Sequence, residues 1–166
     1  MQPDELSGPE PLGPDHVLDA FACGRPPLDD WLKNQARRSE GKFARTYVVC
    51  RARTAVGYYC ISAGTIERSA APGKMRRNAP DPIPVSILGR LAVDKGVAGR
   101  GLGSDLLADA FRRIVGAADI IGISAVIVHA LDEAALAFYR SRAEFLEFPE
   151  GSRTLFLPIA TLVDMR

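Results

Sequence analysis

The sequence predicts an α/β fold around one mixed β-sheet, and three observations predict it. Two consecutive runs rich in β-branched and aromatic residues, Thr46 to Arg51 and Val56 to Ile66, read as neighbouring strands. Leu102, Leu106, Leu107, Ala110, Phe111 and Ile114 recur at the helical period and stripe one face of a helix. That helix lies between a strand, Val85 to Val93, and the continuous apolar run Ile123 to Val128, which suits a strand buried on both faces. A hairpin-like first half and strand–helix alternation in the second half call for a sheet of mixed direction.

The remaining elements follow in order. Met1 to Pro14 is polar and rich in Pro and Gly, without the apolar stretch of a signal peptide. A first helix is expected to start near Asp29 as N-cap and to carry Trp31, Leu32 and Ala36 towards Ser39. Ser69 to Pro84 reads as a proline-rich loop made locally basic by Lys74, Arg76 and Arg77. Asp132 is placed to cap a short helix through Tyr139, and Thr154 to Leu157 reads as a last strand.

At 166 residues the chain is expected to be one domain, 1–166, able to bury roughly 70% of its unfolded surface. It is 47% hydrophobic and 25% charged, which excludes wholesale disorder. Its net charge of +1 excludes a globally basic nucleic-acid binder but leaves room for a local basic patch. Ile120 to Val128 is the longest apolar stretch, about half a membrane span, so no membrane partner is expected. Cys23, Cys50 and Cys60 are odd in number and lack paired spacing; neither a disulfide framework nor a metal site is indicated. The expectation is a soluble, cytoplasmic protein.

Chemistry is most legible in Leu91-Ala92-Val93-Asp94-Lys95-Gly96-Val97-Ala98-Gly99-Arg100-Gly101-Leu102-Gly103-Ser104. A strand runs into a glycine-rich turn, and a helix starts at its end. Glycines let backbone approach a ligand closely, and a helix's first turn offers unpaired N–H groups with partial positive charge. That is an anion cradle suited to phosphate, although the turn taken alone suits a structural role equally well. No Gly-Lys-Ser/Thr closes it as in a Walker loop, and Gly99-x-Gly101-x-Gly103 is too short for the Rossmann fingerprint.

Arg90-Leu91-Ala92-Val93, the turn Gly99-Arg100-Gly101-Leu102-Gly103, and Ala137-Phe138-Tyr139 together resemble the GCN5-related N-acetyltransferases. The resemblance implies the GNAT fold, a mixed, mostly antiparallel central sheet flanked by helices. It further implies acetyl-CoA as cofactor, its pyrophosphate on the amides from Ala98 to Ser104 and its pantetheine arm along Leu91, Ala92 and Val93. Ala98 stands where the family signature has Arg or Gln, so one side-chain contact is missing. Asp132 matches a position that often touches the cofactor.

A narrower resemblance spans nearly the whole chain. Phe21-x-Cys23-Gly24-x-x-x-Leu28-Asp29-x-Trp31-Leu32, Arg45-Thr46-Tyr47-Val48-Val49, Val56-Gly57-Tyr58-Tyr59, His129-Ala130-x-Asp132-Glu133-Ala134-Ala135 and Arg153-Thr154-Leu155-Phe156-Leu157-Pro158 are similar, in order, to the acetyltransferase toxins of toxin–antitoxin pairs. It implies acetylation of the amino group of aminoacyl-tRNA, a block of translation, a cognate ribbon-helix-helix antitoxin, operator DNA reached only through that antitoxin, and a homodimer. Alternatives are a GNAT enzyme for a small-molecule or protein amine, and an inactive module that binds CoA or antitoxin.

Acetyl transfer to an amine needs a neutral nucleophile, a polarised carbonyl and a proton for the departing thiolate. An α-amino group titrates near 7.7 to 8.0, and esterification of its neighbour lowers it further, so no strong base is required. Tyr139 is the general acid by resemblance; on helical spacing alone, core packing explains it better. His129 reads as structural rather than catalytic. Arg90, inside an apolar strand, reads equally as a substrate or antitoxin contact and as an edge-strand salt bridge. Trp31, Phe21 and the cysteines read as core. For RNA the candidates are Lys33, Arg37, Arg38, Lys42 and Arg45, pictured along one helix, with Arg76 and Arg77 in the loop.

Overall fold

The computed structural model describes residues 5–165. Residues 1–4 and 166, part of the expected polar opening and of the expected 1–166 domain, lie outside them. The strands are β1 (Leu6–Pro11), β2 (Arg45–Arg51), β3 (Thr54–Ile66), β4 (Ile83–Val93), β5 (Ala125–His129), β6 (Leu146–Glu147) and β7 (Thr154–Pro158). The helices are α1 (Pro26–Asn34), α2 (Ala36–Ser39), α3 (Gly73–Arg76), α4 (Leu102–Ala118), α5 (Glu133–Arg142) and α6 (Ile159–Asp164). The strands form one seven-stranded sheet in the order β1-β2-β3-β4-β5-β7-β6. Its β1–β2, β2–β3, β5–β7 and β6–β7 pairings are antiparallel and β4–β5 is parallel. The parallel pair follows from α4, which supplies the crossover that two parallel strands need. This is the mixed, mostly antiparallel α/β sheet expected.

The described residues divide into two compact units, 5–62 with 89–110, and 63–88 with 111–165. In the first unit the two-residue period of β3 sorts the flanking helices. Tyr58 points into a core with Phe21, Leu32, Val48 and Ala92, and Trp31 packs against it. On the opposite face, Gly57 lies under α4: a Cβ there would meet Leu102 Cδ2 at 3.1 Å and Leu106 Cδ1 at 3.2 Å. Tyr59 on that face donates its hydroxyl proton to the buried carboxylate of Asp109 in α4. In the second unit the core gathers Met75, Ile83, Val85, Ala125, Ile127 and Phe156.

Several boundaries differ from expectation for local reasons. The first helix starts at Pro26, not at Asp29, because two prolines pre-set φ in its first turn. Asp29 lies inside that turn, and its carboxylate accepts the Cys23 N–H at 2.9 Å. The helix also breaks at Gln35 (φ −120°), so α2 is separate and the expected continuous helix to Ser39 does not exist. The opening segment contains a strand, β1, despite Pro9 and Pro11, because an edge strand tolerates prolines. The Ser69 to Pro84 stretch holds α3 and the first residues of β4 rather than loop alone. The short strand β6 and helix α6 were not anticipated.

Candidate active site

The turn that opens α4 is organised by Asp94. Its amide donates to Val56 O at 2.8 Å, holding the chain to β3 one residue beyond the end of β4. Its carboxylate then serves two donors: Gly96 N–H at 2.8 Å and Ala22 N–H at 2.9 Å. Lys95 N–H donates in turn to Ala22 O at 2.9 Å. One side chain thus caps the 3-10 turn Lys95–Val97 and ties it to the segment ahead of α1.

Ala98 is extended (φ −62°, ψ 150°), and Gly99 and Gly101 follow at φ +80° and +79°. Those values lie in the left-handed region, where a Cβ crowds the backbone and glycine is favoured. No heavy atom lies within 4 Å of the Cβ position at either glycine, so both border open space. The α4 ladder begins with Asp105 N–H donating to Gly101 O at 3.2 Å. The amides of Leu102, Gly103 and Ser104 therefore belong to the first turn of α4. Exposed Arg100 adds a cation beside them. Open glycines, first-turn amides and a cation fit a pyrophosphate. The strand feeding the turn has Leu91 and Val93 half-buried and Ala92 in the core.

Tyr139 belongs to the second unit. Asp132 is the N-cap of its helix, as expected, accepting Ala135 N–H at 2.8 Å. Tyr139 is 5% exposed, edge-on to Phe138 at 5.4 Å and to Phe145 at 6.0 Å. A cavity of about 770 Å³ is lined by Arg140, Arg142, Glu144 and Asp164 among others. Tyr139 is not part of that lining, and its mixed charge does not match a polyanion.

No protein-family profile matches the chain. A tRNA-acetylating toxin of Mycobacterium tuberculosis is 46% identical over 134 residues, covering 80% of this chain and 81% of the relative. A probable toxin TacT of Sinorhizobium fredii is 34% identical over 166 residues, covering 92% and 91%. The solved structure of AtaT complexed with acetyl-methionyl-tRNAfMet superposes with a TM-score of 0.86 at 32% identity, covering 97% of this chain and 99% of that one. The chain belongs to the acetyltransferase toxins.

In this acetyltransferase toxin the remaining sequence candidates fall in different places. Arg90 is not at a sheet edge, since β4 lies between β3 and β5. Its guanidinium sits 4.5 Å over the Trp31 ring, and Trp31 stacks on Tyr58 at 6.0 Å. The salt-bridge reading is thereby replaced by a cation–π stack, whose partner Trp31 the sequence reading treated as plain core. Lys33, Arg37, Arg38, Lys42 and Arg45 are all exposed but do not share a helix. Lys33 is on α1, Arg37 and Arg38 on α2, Lys42 in the following turn and Arg45 on β2. Arg37 is committed to the carbonyls of His16 and Gly13, and Arg45 lies 3.5 Å from Glu40. Arg76 and Arg77 are exposed at the end of α3.

His129 is exposed, with Nδ1 3.1 Å from Thr154 Oγ1, as a structural histidine should be. Burial pushes the thiols of Cys23 and Cys50 up to about 11 and raises Cys60 as well. None is a ready nucleophile near neutral pH. Glu10, His16 and Cys50 bring three ligand atoms within 4.8 Å of one another. Gly13 N–H donates to His16 Nδ1 at 2.9 Å, so the ring proton sits on Nε2 and faces Glu10 at 2.9 Å. Nε2 therefore has no lone pair to give a metal.

Sequence reasoning did not anticipate the double role of Asp94. The available signal was an aspartate placed directly after a strand and ahead of Lys-Gly, an N-cap pattern.

Proposed function

We propose that this protein transfers acetyl from acetyl-CoA to the α-amino group of aminoacyl-tRNA and thereby blocks translation. The observation that carries the reading is the turn Ala98 to Ser104, where two open, left-handed glycines meet the first-turn amides of α4. Acetyl-CoA supplies an activated thioester. The amides of the turn, with Arg100, hold its pyrophosphate, and the backbone of Leu91, Ala92 and Val93 lines the pantetheine arm. An N–H near Val93 polarises the thioester carbonyl. The Tyr139 hydroxyl delivers a proton to the departing sulfur. Asp132 holds that tyrosine's helix at its N-terminus. The attacking amine needs no strong base from the protein, because an esterified amino acid has a substantial neutral fraction at physiological pH.

Solved relatives support the cofactor and the partners in this reading. AtaT has been solved bound to the C-terminus of its antitoxin AtaR with acetyl-CoA. Both AtaT and KacT have been solved as tyrosine-to-phenylalanine mutants, and KacTA as a complex with DNA. By this reading the chain works in the cytoplasm, where charged tRNA is found, as a homodimer silenced by a ribbon-helix-helix antitoxin, and it meets operator DNA only through that antitoxin. Among the described residues no helix is long and apolar enough to cross a membrane.

The test is transfer of labelled acetyl from acetyl-CoA into a total charged-tRNA pool. Label that leaves the RNA in mild base, and that is lost with Tyr139→Phe at unchanged folding, is the expected result. Cofactor binding without RNA label would overturn the substrate, and label retained by Tyr139→Phe would overturn the acid.

A further inference from the structure

The chain has seven phenylalanines, and six of them are buried or half-buried. Phe43 is 77% exposed. It is not at a frayed end: the turn that carries it is heavily bonded. The amides of Lys42, Phe43 and Ala44 all donate to the Ser39 carbonyl, at 3.0, 2.9 and 3.2 Å, and Gly41 N–H donates to Ala44 O at 3.0 Å. Gly41 takes φ +75°, and the Glu40 carboxylate accepts Thr46 N–H at 2.9 Å where β2 begins. A built turn therefore presents an aromatic ring to water.

The charge around it is one-sided. From Arg37 to Arg45 there are four cations and one carboxylate in a chain that nets only +1. Arg37 is held by backbone carbonyls, and the one carboxylate, Glu40, faces Arg45 and Thr46. Arg38 and Lys42, both ahead of Phe43 in sequence, remain exposed. An exposed ring with two exposed cations just ahead of it in the chain matches an unpaired nucleotide, whose base stacks while its phosphates meet the charges. A protein partner of ordinary apolar character would not need the cations.

We propose that Phe43 stacks on an unpaired base of the tRNA, with Arg38 and Lys42 holding the flanking phosphates. This rests on the function proposed above and names a contact for its RNA. The test measures uncharged tRNA binding by anisotropy for the wild-type protein and for Phe43→Ala and Phe43→Trp, with circular dichroism confirming the fold. Phe43→Ala is expected to weaken binding about tenfold without changing the salt slope, and Phe43→Trp to restore it. Arg38→Ala and Lys42→Ala should each lower the slope of log affinity against log salt by about 0.7 to 0.9. Unchanged tRNA affinity in Phe43→Ala overturns the proposal, as does a loss confined to antitoxin binding, which would make the turn a protein interface. Phe43-dependent tRNA binding by a protein that transfers no acetyl would sink the enzymatic reading and leave the contact standing.

Discussion

The carboxylate of Asp94 accepts the backbone N–H of Ala22 at 2.9 Å, across 72 positions of sequence. The bond joins the end of β4 to the segment ahead of α1 and leaves the same carboxylate its second partner, Gly96 N–H. Replacing Asp94 by Ala removes both acceptors. We expect a stability loss of about 1–3 kcal/mol in urea titration and a clear rise in KM for acetyl-CoA. Asp94→Asn keeps one acceptor oxygen and should fall between.

Gly101 and Gly116 offer opposite outcomes for one substitution. Neither position has a heavy atom within 4 Å of an added Cβ. Gly101 has φ +79°, so Gly101→Ala strains the turn by about 1–2 kcal/mol and weakens acetyl-CoA binding. Gly116 lies within α4, where Gly116→Ala should stabilise by about 0.5–1 kcal/mol. Calorimetric melting of the two variants checks the signs, and acetyl-CoA titration should separate them again.

Arg90 over Trp31 is a stacked guanidinium, and lysine does not reproduce that geometry. Arg90→Ala is expected to cost about 0.5–2 kcal/mol of stability, with Arg90→Lys recovering only part of it. If both variants unfold like wild type, the stack contributes nothing and the residue's role is elsewhere.

The thiols set a pH dependence. Cys23 and Cys50 titrate at about 11 in the folded protein against an ordinary value near 9, because burial disfavours the thiolate. A group whose pKa is raised on folding contributes stability that is full below its unfolded value. Stability should therefore decline as pH rises from about 9 through 11. At pH 8 the native thiols should react with a disulfide reagent far more slowly than the same thiols in denaturant.

Three elements, β3, β4 and α4, pass from one compact unit into the other, at residues 62–63, 88–89 and 110–111. A strand or helix gains its hydrogen bonds cooperatively, so half of one has little stability alone. We expect one unfolding transition, seen identically by fluorescence and circular dichroism. Two separated transitions would show that the units fold independently.

Much of this was legible in the primary structure because it is periodic or local. The stripe from Leu102 to Ile114 became one face of α4, and the run at Ile123 to Val128 overlaps β5, which starts two residues later and ends at His129, with Ala125 to Val128 all buried. Asp132 was read as a cap because capping needs only the residues within one turn. The glycines of the turn were found for the same reason: left-handed backbone is a property of single residues. The prolines of the opening segment pointed away from a strand, and only pairing with β2 made one of them.

What the linear order could not contain is which distant groups meet. Arg90 read equally as a substrate or antitoxin contact and as an edge-strand salt bridge, and the partner it has is an indole 59 positions earlier. Lys33 to Arg45 looked like one basic helix, and a break at Gln35, two backbone carbonyls and Glu40 divide it. Asp94 looked like the end of a strand, and it anchors a segment 72 positions away. The sequence by itself determined the α/β class, the period of each main element and the glycine-rich turn ahead of α4, since short-range sterics and hydrophobic spacing dictate these. The tertiary structure alone decided the partners of Asp94 and Arg90 and the exposure of Phe43, because a contact between residues far apart in the chain exists only once the sheet has been assembled.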